Sequence, residues 1–216
     1  MRTVFPSADI TSATATSVDG AVRAVLKKSE AGKVFSPSDF LHLGSRAAID
    51  KVLSRLTAEG TLRRVARGLY DVPRTHTIFG SLLPSSDALA KAVADKASLR
   101  LQPSGAYAAN LLGLTEQVPM KLAFLTDGAS RSVQVGKQTI LLKHTTPRNM
   151  ATAGRISGLV IQALRHFKQS NVDDSVIQKL TARLNVEDKK VLLQDAPLAP
   201  VWIGNIMRRI AQESNS

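Results

Sequence analysis

The chain has 216 residues, 44% hydrophobic but only 4% aromatic, so one large or two smaller domains can each bury a core of Leu, Ile, Val and Ala. Its 29 Lys and Arg residues against 17 acids leave a net charge of +12, which favours an anionic partner: nucleic acid, an anionic membrane or an acidic protein. With no cysteine, disulfides and thiolate metal sites are excluded. No stretch approaches the ~20 apolar residues of a membrane helix, and Met1 to Ser17 lacks the apolar run of a signal peptide. A soluble, cytoplasmic protein with no membrane partner is expected.

Residues 1–16 end in a Ser/Thr/Ala stretch without apolar periodicity and read as a flexible arm, either a plain tail or one that touches DNA or a partner. A first helix is predicted from Val18 to Ala31, with Val18, Ala21, Val22, Val25 and Leu26 on one face and Gly32 as its stop. Ser36, Pro37 and Asp39 then spell a cap, a first helical position and an acid in the first turn. Phe35 and Phe40 are spaced for a hydrophobic staple. That helix must be short, because Gly44 follows Leu43. Ser45 caps a third helix running to Glu59, with Ile49, Val52, Leu53 and Leu56 as its apolar stripe. A hairpin follows, from Thr61 to Val65 and from Leu69 to Val72, with Ala66-Arg67-Gly68 at its tip.

Thr75 to Pro84 reads as a connector, after which the pattern changes. Helices are predicted over Ser86–Ala97, Gly105–Leu112, Ile156–Phe167, Asp173–Leu184 and Val201–Gln212. Strands are predicted over Leu99–Gln102, Lys121–Thr126, Ser132–Val135 and Gln138–Lys143, with turns at Asp127-Gly128 and Gly136-Lys137. The fold class is α+β: an N-terminal winged helix-turn-helix over residues 17–74, then a mixed α/β C-terminal domain over 84–216 with a small antiparallel sheet and C-terminal helices.

Three helices, the last two joined by a very short turn, followed by a hairpin, give the element order of a winged helix-turn-helix. In that fold the last helix enters the major groove of DNA. Behind its Ser45 cap, the outer face of the third helix holds Ala47, Asp50, Lys51, Ser54 and Ala58, flanked by Arg46 and Arg55. Small Ala47 and Ala58 allow close approach to a groove. Lys51 suits a guanine edge, Asp50 a cytosine amino group and Ser54 either base. Arg46 and Arg55 suit phosphates; the wing carries Arg63, Arg64 and Arg67 as further DNA-binding candidates, with Arg74 just beyond, and Arg67 at the tip suits a minor groove or a phosphate.

These residues also resemble a known family. Phe35-Ser36-Pro37, Ala48-Ile49, Leu53-Ser54-Arg55-Leu56, Gly60-Thr61-Leu62 and Arg67-Gly68-Leu69-Tyr70 are similar to the AbiEi-like antitoxins of type IV toxin–antitoxin systems. Ala108-Ala109-Asn110, Leu112-Gly113-Leu114, Gln117-Val118-Pro119 and Phe124-Leu125-Thr126-Asp127-Gly128 continue the resemblance. It implies a repressor of its own operon that binds promoter DNA at inverted repeats, cooperatively, through the winged helix. It also implies a C-terminal domain that neutralises a nucleotidyltransferase-like toxin. The alternative is a stand-alone transcriptional regulator whose second domain senses a ligand or protein.

Between Asp127 and Asp173 there is no acid, while Arg131, Lys137, Lys143, Arg148, Arg155, Arg165 and Lys168 are all basic. If the three strands form a meander, Arg131, Lys137 and Lys143 can share a face with Arg148 and Arg155 nearby, giving one contiguous positive patch. Such a patch suits a wider DNA footprint, an acidic toxin surface, or masking of the toxin's nucleic-acid substrate. His42, His76, His144 and His166 show no metal-ligand spacing, and Asp173-Asp174 reads as a helix start. No nucleophile–base arrangement stands out, so no enzymatic activity, metal or cofactor is expected. No heptad seam marks a dimer, so a monomer is expected in solution.

Overall fold

The computed structural model describes residues 17–30, 32–78, 80–95, 98–135 and 138–213. The N-terminal arm predicted over 1–16 and Lys137 lie outside these residues. The first unit begins with α1 (Val18–Lys28), capped by Ser17, whose hydroxyl accepts from Gly20 N–H at 3.2 Å. It stops three residues short of the predicted end. Ser29 turns to extended backbone there, and its hydroxyl donates to the Leu26 carbonyl at 2.6 Å. Then come the two-residue strand β1 (Val34–Phe35) and a 3₁₀ helix, Pro37–Leu43. At the start of that helix the Asp39 carboxylate accepts from Ser36 N–H at 2.6 Å and from the Ser36 hydroxyl at 3.1 Å. The staple forms as predicted, with the Phe35 and Phe40 ring centroids 5.5 Å apart. Next are α2 (Arg46–Ala58), β2 (Arg63–Ala66) and β3 (Leu69–Asp71).

The wing is a three-stranded sheet in the order β1-β3-β2, not a plain hairpin. Two residues are too few for alternation to reveal β1. Cross-strand partners share a face, so the register sorts the side chains into two sets. Phe35 and Arg64 pair with Tyr70 on one face; Val34 and Arg63 pair with Asp71 on the other. Phe35 and Tyr70 close a core of Val22, Phe40, Ile49, Leu53 and Leu56 beneath the helices. Val34 and Leu69 belong to a second core with Leu89, Val93, Leu122, Phe124, Ile140 and Leu142. The central strand of the winged-helix sheet therefore packs against a core on each face, and the sheet is shared by both halves of the chain.

The segment expected to be a connector carries a small hairpin, β4 (Arg74–His76) and β5 (Gly80–Leu82). It is followed by α3 (Ser86–Asp95), β6 (Leu101–Pro103), α4 (Ala106–Leu111), β7 (Lys121–Thr126), β8 (Arg131–Val135) and β9 (Gln138–His144). The sheet order is β6-β7-β9-β8, with β7 and β9 parallel and the other pairs antiparallel. The three strands thus do not form a meander. Apolar β9, with Ile140, Leu141 and Leu142, takes the interior place. Polar β8, with Arg131, Ser132 and Gln134, takes the edge, where unpaired backbone groups meet water.

The chain then forms α5 (Ile156–Phe167), α6 (Asp174–Arg183), α7 (Val186–Asp195) and α8 (Val201–Gln212). With α4 they enclose a third core that includes Ala109, Val160, Leu164, Leu180, Leu192, Ile203 and Met207. The fold class stands as read: a unit resembling a winged helix-turn-helix, then a mixed α/β domain with C-terminal helices. Among the described residues, no helix is long and apolar enough to cross a membrane.

Asp71, only 1% exposed, is paired bidentately with Arg63, Nε to Oδ1 at 3.0 Å and Nη2 to Oδ2 at 2.5 Å. The same guanidinium donates to Ser81 Oγ and to the Leu82 carbonyl, each at 2.7 Å. Arg63→Ala leaves a buried carboxylate uncompensated and is expected to destabilise the protein by about 3–5 kcal/mol. Urea denaturation checks this: a loss below about 1 kcal/mol places the pair among ordinary surface contacts.

Candidate nucleic-acid interface

Helix α2 starts at Ser45, whose hydroxyl accepts from Ala48 N–H at 3.3 Å. Its stripe of Ile49, Val52, Leu53 and Leu56 is buried, so the helix has one defined outer face. Arg46, Ala47, Asp50, Lys51, Ser54, Arg55 and Ala58 are all exposed there. Their electrostatic states differ. Arg46 Nε donates to both Asp50 oxygens, at 3.0 and 2.9 Å, so this acid and this base largely satisfy one another in the free protein.

Arg55 belongs to a four-residue network across α1 and α2. It pairs with Asp19 and, at 3.8 Å, with Glu59, while Arg23 bonds Asp19 at 3.0 Å and Glu59 at 2.5 Å. Hydrogen bonds from Arg55, then Arg23, hold the Asp19 carboxyl below the usual carboxylate range. This network links α1 to α2 across their exposed edges.

Among the described residues, Lys51, Arg64 and Arg67 have no ion-pair or hydrogen-bond partner for their side-chain charges. Arg64 shares the wing face of Tyr70, on the side of the helices. Arg67 sits at the two-residue tip between Ala66 and Leu69, beside Gly68, whose φ of +68° is easily met only without a Cβ. Arg63, expected among the DNA-binding residues of the wing, is a correction. Strand alternation turns it toward Asp71 and the second domain, where its donors bond Asp71, Ser81 and Leu82.

The described members of the second basic set, Arg131, Lys143, Arg148 and Arg155, do not make one contiguous patch. Arg131 is opposite Leu142 in the register, so it lies on the α3 side of the sheet, where Nη2 donates to the Val93 carbonyl at 2.8 Å. Lys143, next to Leu142 in β9, falls on the other side. Arg155 caps α5 and pairs with buried Asp195 at 2.9 Å. Arg148 lies in a separate cleft with Arg165. Among the described members of the set, only Arg131 joins the wing, lining with Arg67 a groove of about 340 Å³. Charge counting along the chain missed this division because it depends on strand order and on Asp195, 40 residues beyond Arg155.

The geometry is that of a DNA- or protein-binding module: a capped helix with small and polar groups outward, flanked by unpaired cations on a braced wing. Residues 21–192, about four-fifths of the chain, match a family described as "Family of unknown function (DUF6088)". The chain belongs to this family. Its description assigns no activity to its members. No curated protein matches the chain. The chain is also similar to the crystal structure of RV2827C protein from Mycobacterium tuberculosis, at 12% identity and a TM-score of 0.45. That alignment covers 91% of this chain and 81% of the other, and at that score it carries no inference about fold or function.

The Asp19 network has a pH consequence. A carboxylate whose folded pKa is depressed stabilises the fold above its unfolded pKa, near 4, and this is lost as pH falls through the folded value. Asp19→Asn is therefore expected to lower the melting temperature at pH 7 and to narrow its gap to wild type as pH drops below about 4. A gap that stays constant across that titration means the charge of Asp19 is not what joins α1 to α2.

Proposed function

We propose that the protein binds double-stranded DNA through α2 and the wing, represses its own operon, and neutralises a nucleotidyltransferase-like toxin through its second domain. The observation that carries the DNA reading is the division of charge on the winged helix. Arg46, Arg55 and Arg63 are satisfied within the protein, whereas Lys51, Arg64 and Arg67 are not. Unpaired cations on a helix outer face and a wing tip are what phosphate and groove contacts require. Arg131, beside Arg67, extends that surface onto the second domain.

The antitoxin reading is supported by the resemblance to AbiEi-like antitoxins, whose motifs fall in both halves of the chain. In this reading the protein works by binding, in the cytoplasm, as a monomer that pairs cooperatively on inverted repeats. The second reading, a stand-alone regulator with a sensing domain, is favoured by a basic cleft in the second domain, lined by Arg148 and Arg165. Co-expression with a nucleotidyltransferase-like protein encoded beside it separates the two. Rescue of growth supports the antitoxin, and unrelieved toxicity with DNA binding intact supports the regulator.

Binding to the protein's own upstream DNA and to a random duplex, across a salt series, tests the DNA reading. Affinity is expected to fall steeply with salt and to favour the upstream sequence. Lys51→Ala is expected to cost about 1–3 kcal/mol of discrimination. Arg67→Ala is expected to weaken both duplexes alike and reduce the salt slope by about one. Equal, weak binding of both duplexes by the wild type rejects the proposal in favour of a protein-binding winged helix.

A further inference from the structure

A cleft of about 280 Å³ opens between the 3₁₀ turn Pro147–Met150, α5 and the start of α8. Its polar lining is Arg148, Asn149, Thr152, Gln162 and Arg165, with no acid among the described residues that line it. It is drawn from the acid-free stretch between Asp127 and Asp173. Three features distinguish it from a chance meeting of surface bases.

The first is that Arg165 is held in place. Its Nη1 donates to Asn149 Oδ1 at 3.1 Å, and Asn149 Nδ2 in turn donates to Thr145 Oγ1 at 2.9 Å. Burial first, and then the charge of Arg148, push Arg165 below the usual arginine range. Two guanidiniums share one cleft without a counter-charge.

The second feature is the floor. Gln162 is 6% exposed and Thr152 is 5% exposed, yet neither the carboxamide nor the hydroxyl has a hydrogen-bond partner among the described residues. The polar atoms of Gln162 and Thr152 are not among the fully buried side-chain atoms of the described residues that lack a hydrogen-bond partner, so they are not sealed off and remain open to hydrogen bonding. Both line the cleft, so a group entering it meets them. Gly158 keeps the floor tight: a Cβ there would come within 2.3 Å of the Thr152 carbonyl oxygen and of Gln102 Oε1.

The third is the rim. Pro200 borders the cleft and is the N-cap of twelve-residue α8, which has no side-chain cap. The leading N–H groups of such a helix and its positive dipole end favour an anion nearby.

We propose that this cleft binds the terminal phosphate of a small phosphorylated molecule, held by Arg148 and Arg165 with Gln162 and Thr152 donating from below. Two guanidiniums and two neutral donors match a dianion with three free oxygens better than a planar carboxylate with two. A ligand pocket for a drug-sized molecule runs from ~300 Å³ upward, so this volume suits a small one. The backbone phosphates of a duplex lie on a broad cylinder and do not reach donors this deeply buried.

Calorimetric titration of the full chain with inorganic phosphate and with ribose 5-phosphate, at constant ionic strength against chloride, tests the assignment. Saturable 1:1 binding is expected with ribose 5-phosphate, weakened about tenfold or more in Arg148→Ala and in Gln162→Leu. Arg148 is exposed, so that variant is expected to melt with the wild type, which separates lost binding from lost folding. Lys51→Ala is expected to bind the phosphate unchanged, so failure of the DNA reading leaves this one standing. Absence of saturable binding with either probe overturns the proposal, as does equal binding by Arg148→Ala and the wild type. So does a loss of duplex affinity in Arg148→Ala without any binding of the sugar phosphate, since the cleft would then be a backbone contact.

Discussion

A buried carboxylate at the end of a three-residue strand decides how the two halves of this molecule meet. Asp71 closes β3, the central strand of the winged-helix sheet, and faces away from the winged-helix core. A lone carboxylate there costs several kcal/mol in desolvation. Arg63 offsets that cost and uses its remaining donors on Ser81 and Leu82, so one guanidinium ties the wing to the β4–β5 hairpin. With β3 fixed, Leu69 and Val34 pack with Leu89 and Val93 of α3. The wing then has little freedom to swing relative to the second domain. Any surface it presents is presented beside β8, which lines a groove with the wing tip.

That rigidity gives meaning to the distribution of charge. A protein of net charge +12 has cations to spare, and most say nothing about a binding site. The informative ones are those the fold leaves without a partner. Arg23 and Arg55 hold α1 to α2, Arg63 holds the wing, and Arg155 neutralises buried Asp195. Lys51, Arg64 and Arg67 do none of this and lie on one helix face and one wing. The same reasoning separates Arg148 and Arg165 from the rest of the second domain, since their cleft contains no acid to answer them.

The second domain is itself divided. One side of its sheet packs against α3 and the wing, while α4 to α8 form a largely helical body around their own core. Helix α4 joins the two, with Tyr107 edge-on to Phe124 at 5.4 Å in the sheet core and Ala108 and Ala109 in the helical one. The Arg148–Arg165 cleft belongs to the helical body and the Arg67–Arg131 groove to the wing side. The two basic surfaces are thus carried by different parts of the second domain.

Much of the winged helix was legible in the sequence because its signals are local. Ser36, Pro37 and Asp39 announce a start, Phe35 and Phe40 a staple, and the stripe from Ile49 to Leu56 an inner face, all within a few residues. The exposure of Ala47, Lys51 and Ser54 followed from that stripe alone. What the sequence could not determine is whatever depends on register, strand order or distant partners. Arg63 and Arg64 are adjacent and chemically identical, yet alternation sends one to Asp71 and the other to the helix side. Strand β1 is too short to show a period, and β9 displaced β8 from beside β7 because of its greater apolar burial. Gln162 sits within an apolar helical stripe, and its lack of a partner emerges only once α5 meets Thr152 and Pro200. Side-chain type and helical period are properties of the chain; which cation is left free is a property of the packing.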